Sequence, residues 1–189
     1  MKQTFARRSI PPLVSAAAAL LVAAVPAVAD NAKIKKASFT ALLGITEALG
    51  PPISCTAAQA ATGQAVTGTI NGSGLSSFGP VTLTSQDCIV FNTPTSTTFK
   101  SVDAVLWTTS GEQINVAYCG TGTMAQPTGP LVLSGRYQFT GGSGPFKKAS
   151  GCGNLYGIED LSPLGYGQPA RGFVALSEGT CSATGPECP

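Results

Sequence analysis

The sequence predicts an all-β domain of antiparallel strands, and three observations carry that expectation. The chain holds 23 glycines and 14 prolines, which cut it into short segments. Between them lie runs rich in Val, Ile and Thr, residues that suit a pleated, half-buried surface. Beyond Ile53 apolar residues recur with period two and the helical period disappears. Short strands in such a series build a sandwich or a closed barrel.

The first 29 residues read as a segment to be removed. Lys2, Arg7 and Arg8 form a basic start, Leu13 to Val25 an apolar run, and Ala27-Val28-Ala29 a small-x-small cleavage site before Asp30. The run is too short for a membrane span and is ended by Pro26, so it is a signal peptide and the mature domain is residues 30–189. Arg7-Arg8 raises the twin-arginine route, but Ile10-Pro11 continues that motif poorly, which leaves ordinary secretion. A secreted or periplasmic location follows, with no transmembrane segment in the mature chain.

From Asp30 to Gly50 two periods compete. Ile34, Ala37, Ala41, Leu42, Ile45 and Leu49 fit a helix stopped by Gly50-Pro51-Pro52, while Ala37, Phe39, Ala41, Leu43 and Ile45 fit one face of a strand. The segment is helix or strand. Strands are predicted over 65–70 and 81–91, separated by a turn at Asn71-Gly72. Segments 99–108 and 113–118 flank Ser110-Gly111 as a hairpin, and 131–140, 153–158 and 172–177 complete seven or eight strands. The tail after Ser182 is too polar and turn-rich for a strand.

All six cysteines, Cys55, Cys88, Cys119, Cys152, Cys181 and Cys188, fall in the mature part. An even count in an exported chain reads as disulfides, and up-and-down strand order pairs Cys152 with Cys181. Zinc is disfavoured, because the cysteines lack close ligand spacing and the chain has no histidine. Three of the eleven basic residues precede Asp30, leaving eight against nine acidic ones, a net charge of −1. Such a chain has no electrostatic footprint for nucleic acid.

One stretch carries a family pattern. A strand through Gly135-Arg136-Tyr137-Gln138-Phe139-Thr140 enters Gly141-Gly142-Ser143-Gly144-Pro145-Phe146, then Ala149-Ser150-Gly151 opens a new strand. This resembles the Gly-Gly-Thr-Gly-x-Phe-x-x-Ala-x-Gly stretch of dirigent proteins, allene oxide cyclases and bacterial secreted proteins with the same pattern. Gly72-Ser73-Gly74-Leu75-Ser76-Ser77-Phe78-Gly79 and Glu178-Gly179-Thr180-Cys181-Ser182 fit the bacterial relatives. Ser143 in place of Thr and Pro145 at the variable position are departures. The resemblance implies an antiparallel eight-stranded barrel of calycin-like or allene oxide cyclase-like form. In it Phe146 folds back over one barrel end, with Ala149 and Gly151 small enough to admit it. The plant relatives bind apolar small molecules inside the barrel, but their functional residues align with no position here, and fold alone is a weak warrant for function.

The absence of histidine removes Ser-His-Asp and Cys-His systems and the commonest general base. No Gly-x-Ser-x-Gly elbow or phosphate loop is present, and no cofactor or metal is expected. Glu159 and Asp160 are neighbours that point to opposite faces of a strand, and Asp87, Asp103 and Glu112 are read as solvent-facing residues at strand ends. Arg136 is a candidate anchor for a ligand carboxylate at a barrel mouth, and Tyr137, Trp107 and Tyr118 are candidate cavity-lining residues. The leading function is an exported, non-enzymatic barrel that binds a small apolar or amphipathic ligand. The alternatives are a dirigent- or cyclase-like catalyst confining a reactive intermediate, and a structural or adhesive surface protein. An interior pocket separates the first two from the third.

Overall fold

The computed structural model describes residues 39–127 and 129–179, so the signal segment, the tail after Ser182 and Cys181 itself lie outside the described residues. Eight strands follow one another: β1 (Ala41–Gly50), β2 (Ala65–Ser76), β3 (Gly79–Thr93), β4 (Ser96–Thr108), β5 (Gln113–Met124), β6 (Leu131–Gly142), β7 (Gly151–Asp160) and β8 (Ala170–Glu178). Each pairs antiparallel with the next, and β8 returns to β1 to close the barrel. Leu43 marks the seam, opposite Gly74 on one side and Val174 on the other. Closure leaves no free sheet edge among the described strands to template aggregation.

The ambiguous segment is strand over its described part. Phe39, Ala41, Leu43 and Ile45 are all buried, so the period-two reading wins. Gly50-Pro51 ends a strand, and a short helix, α1 (Ala57–Ala60), lies beyond it and is capped by Thr56. The predicted turn at Asn71-Gly72 is not there. β2 runs straight through both residues, which pair with Thr84 and Leu83, and the chain reverses at Ser77-Phe78 instead. Ser76 Oγ holds that reversal by donating to Gly79 O at 2.9 Å and accepting from Phe78 N at 3.1 Å. The Ser110-Gly111 hairpin is present, with the Gly111 amide donating to Thr108 O at 3.0 Å.

A bulge in β4 controls which side chains enter the barrel. The β3 pairing shifts between Gln86/Asp103 and Asp87/Ser101, so Val102 is the extra residue. Thr97 and Phe99 point inward before it, and Ala104 and Leu106 after it, a change from odd to even parity.

The barrel has two distinct ends. One gathers Phe39 and the connections at 77–78, 109–112 and 143–150. There Phe39 meets Phe139 edge-on with ring centroids 4.9 Å apart and Phe78 at 5.3 Å, and Phe78 meets Phe146 at 5.5 Å. Phe146, in a 3-10 turn (Gly144–Phe146), is buried over this end. The glycines make the turn possible. Gly141 and Gly144 hold positive φ of 126° and 50°, and a Cβ on Gly142 would lie 2.1 Å from Gln113 O. The opposite end carries the connections at 51–64, 94–95, 125–130 and 161–169.

Cys55 is bonded to Cys88, tying the β1–β2 connection to β3 at that opposite end. Cys119 and Cys152 are each in a disulfide as well, with partners outside the described residues. The expected partner of Cys152, Cys181, is outside the described residues. Among the described residues no helix is long and apolar enough to cross a membrane.

Candidate functional site

The inward-facing rows of β1, β3 and β7 each run into an acid. On β1, Leu43 and Ile45 are followed by Glu47; on β3, Leu83 and Ser85 by Asp87; on β7, Leu155 by Glu159. The strand pleat therefore points all three carboxyls into the barrel. Asp87 and Glu159 are each 2% exposed and Glu47 only 6%. The solvent-facing placement expected for Asp87 is thus overturned: it sits on the inward parity of the longest strand, well short of the strand's end.

Small neighbours make room for these groups. Gly68 on β2 pairs with Asp87, and a Cβ there would stand 2.1 Å from Glu47 Oε1 and 2.8 Å from Ile89 Cδ1. On the other side of Glu47 the paired residue is the fully buried Ala170 of β8. The Glu47 carboxyl lies over Gly68, facing Asp87 one strand further round.

Asp87 has its own donors. Ser85 Oγ donates to Asp87 Oδ1 at 2.6 Å and the Tyr118 hydroxyl donates to the same oxygen at 2.8 Å. Burial pushes Asp87 up to about 6, against the lowering effect of these two hydrogen bonds. Glu47 is pushed well above the carboxylate range, by burial first and then by the negative charges of Glu159 and Asp87. Glu159 is raised by burial as well. With a proton on Glu47, that acid shares a side-chain hydrogen bond with Glu159. Glu159 Oε1 and Thr97 Oγ1 are both buried with no hydrogen-bond partner.

These groups line an interior cavity whose remaining wall is apolar, with Leu83, Leu106, Val116 and Leu155 prominent in it. The cavity volume is about 60 Å³. The space suits a small molecule or a slender chain; drug-sized ligands occupy pockets of ~300–1,000 Å³. The titratable residues on the wall are Glu47, Asp87, Tyr118 and Glu159, and no Lys or Arg is among them. Among the described residues no three acidic, Cys or His side chains converge closely enough to hold a metal ion.

Of the four residues singled out from the sequence, the structure brings only Tyr118 to this cavity. Tyr137 points inward but belongs to the aromatic end, its hydroxyl donating to Phe39 O at 3.2 Å. Arg136 lies on the outer face, in a shallow groove with Ser134, Asn154 and Tyr156. Trp107 is half-buried on the outer face, between inward-facing Leu106 and the Ser110-Gly111 turn. The acids were the missed residues, and their signal was parity: each stands where the alternation calls for an apolar side chain.

No family model, curated protein or solved structure matches this chain.

Proposed function

We propose that this is an exported, non-enzymatic β-barrel that binds a small, largely apolar ligand inside the barrel, with the acidic groups as its polar handle. The observation that supports it most is the cavity itself, an apolar wall interrupted on one side by Glu47, Asp87 and Glu159. Keeping three acids out of water costs stability unless something recovers it, and an apolar pocket with a few convergent polar groups is the usual form of a small-molecule site. The export signal, the disulfides and the lack of histidine agree with a binder outside the cytoplasm. Mass spectrometry of solvent extracts from protein purified from its own host tests this directly. A stoichiometric small molecule is expected, and repeated recovery of empty protein would count against it.

A second reading, a barrel that confines and protonates a reactive intermediate as in dirigent- or cyclase-like proteins, draws on the raised carboxyls. Carboxyls that keep their protons to a higher pH than usual in an apolar space can donate a proton. It would show as a host-extracted molecule that is chemically changed on incubation with the wild type and unchanged with Asp87→Asn.

A further inference from the structure

The cavity's acceptors outnumber its donors. Among the polar groups on its wall, Asp87 accepts from Ser85 and Tyr118, whereas Glu159 Oε1 is buried with no hydrogen-bond partner. Thr97 Oγ1, 1% exposed on β4 and on the same wall, has no partner at all. Gly122, beside it on β5, keeps this hydroxyl clear, since a Cβ there would stand 2.5 Å from Thr97 Oγ1. What the site lacks is a donor of several hydrogen bonds that also carries positive charge. An ammonium group is that object, with three N–H donors and no acceptor.

Building on the ligand-binding reading above, we propose that this half of the barrel takes a small organic ammonium ion. Its N–H groups are donated to Glu47, Glu159 and Thr97, Asp87 adds negative charge nearby, and its short apolar stem lies among Leu83, Leu106 and Val116. An anion would meet three acids and no basic residue on the wall. A bare metal ion lacks three converging ligands among the described residues. Burial holds protons on Glu47 and Asp87 to a higher pH than usual, and the ammonium ion displaces them, so binding releases protons and tightens as pH rises from 5 to 7.5. The titratable groups facing it are Glu47 from β1, Asp87 from β3, Tyr118 from β5 and Glu159 from β7; β2, β4, β6 and β8 contribute none to the wall.

Calorimetric titration of the mature protein with n-pentylammonium, 1-pentanol and pentanoate decides the matter, since the three share a stem and differ in head group. The ammonium ion is expected to bind about tenfold or more tightly than the alcohol, a typical worth for hydrogen bonds to charged groups, with pentanoate weakest. Running the ammonium titration in two buffers of different ionisation enthalpy should show proton release at pH 5.5. Glu47→Gln and Thr97→Val, checked for folding by circular dichroism, should each weaken the ammonium ion by a larger factor than they weaken pentanol. Equal binding of pentanol, or preference for pentanoate, would overturn the cation assignment while leaving an interior ligand site in place. Absence of binding by all three, together with empty protein from the host, would remove both readings.

Discussion

At one end of the barrel Phe39, Phe78, Phe139 and Phe146 pack ring against ring, while further along the same interior Glu47, Asp87 and Glu159 face one another with no basic residue on the cavity wall. The first arrangement is what burial of apolar area rewards, at ~25 cal/mol per Å² removed from water. The second runs against it, because each acid loses its hydration and the charges repel. Within one barrel of antiparallel strands, favourable apolar packing is therefore concentrated at the aromatic end and costly acid burial further along the interior.

The sharpest way to break this contrast is to substitute once at each end. Phe139→Ala should lower unfolding free energy by ~3–5 kcal/mol, the range for deleting a buried aromatic ring. Glu47→Met, of similar volume, should be neutral or stabilising, since well-packed apolar replacements of buried charges often are. Urea denaturation of both variants reads the difference. If Glu47→Met is as damaging as Phe139→Ala, the acids are part of the scaffold and the division of labour is wrong.

The Cys55–Cys88 bridge bears on the acidic end alone. It closes 33 residues of separation and lies next to Asp87 in β3. The chain-entropy relation gives ~3–4 kcal/mol for a loop of this size, so Cys55→Ala with Cys88→Ala should lower stability by about that amount. Hydrogen exchange should accelerate in the 51–64 connection well before it does around Phe139. Uniform acceleration in both places would show that the two ends are not separable.

Acid should stabilise this protein. Asp87 has its folded value raised to about 6, so the folded state binds more protons than the unfolded one between the ordinary aspartate range and pH 6. Its contribution is fully present below pH ~4 and is lost as pH rises through about 6. A rise of that size corresponds to roughly 2–3 kcal/mol, and Glu47 and Glu159 act in the same sense. Half-buried Glu112 and exposed Asp160 are lowered by hydrogen bonds and act oppositely, but both lie at the surface, where solvent screens them. Denaturation midpoints should fall from pH 4.5 to pH 7.5, with a flatter slope in Asp87→Asn. A flat or rising profile in the wild type would contradict the burial of these acids.

How legible all this was depended on what each residue's neighbours in sequence reveal. Alternation in Val81 to Phe91 and Leu131 to Thr140 marked strands directly, because the period survives in any half-buried sheet. Phe146 was readable as a plug because Gly141 and Gly144 announce a turn that other residues resist. Asn71-Gly72 misled for a physical reason: Asn-Gly favours a tight turn locally, but the full pairing of β2 with both β1 and β3 outweighs that preference. The acidic cavity was hidden by a different limit. Glu47, Asp87 and Glu159 are 40 and 72 residues apart along the chain, and only closure of the barrel makes them neighbours. Trp107 and Arg136 fell on the outer face because the β4 bulge and the pleat of β6 set their parity, and neither is written in the residue types themselves.

The finest comparison uses the two tyrosines, one in each half. Tyr118 donates to Asp87 Oδ1 at 2.8 Å and stands at the same distance from Ser85 Oγ. Tyr137 donates to the neutral carbonyl of Phe39 at 3.2 Å. Replacing either with Phe removes one oxygen and keeps the ring, so packing is matched and only the hydrogen bond is lost. A bond to a charged acceptor is worth ~1.5–3 kcal/mol and one between neutral partners ~0.5–1.5 kcal/mol. At pH 7.5, where Asp87 is ionised, Tyr118→Phe should therefore cost about 1–2 kcal/mol, with Ser85 still holding the carboxylate. At pH 5 Asp87 is largely protonated and the cost should shrink, whereas Tyr137→Phe should cost the same small amount at both. Losing the Tyr118 donor also removes one of the two interactions that lower Asp87, so its titration, followed by carboxyl carbon shifts, should move above 6. If Tyr118→Phe shows no pH dependence, or the Asp87 titration stays in place, the hydroxyl is not supporting a charge and Tyr118 is only another ring in the core.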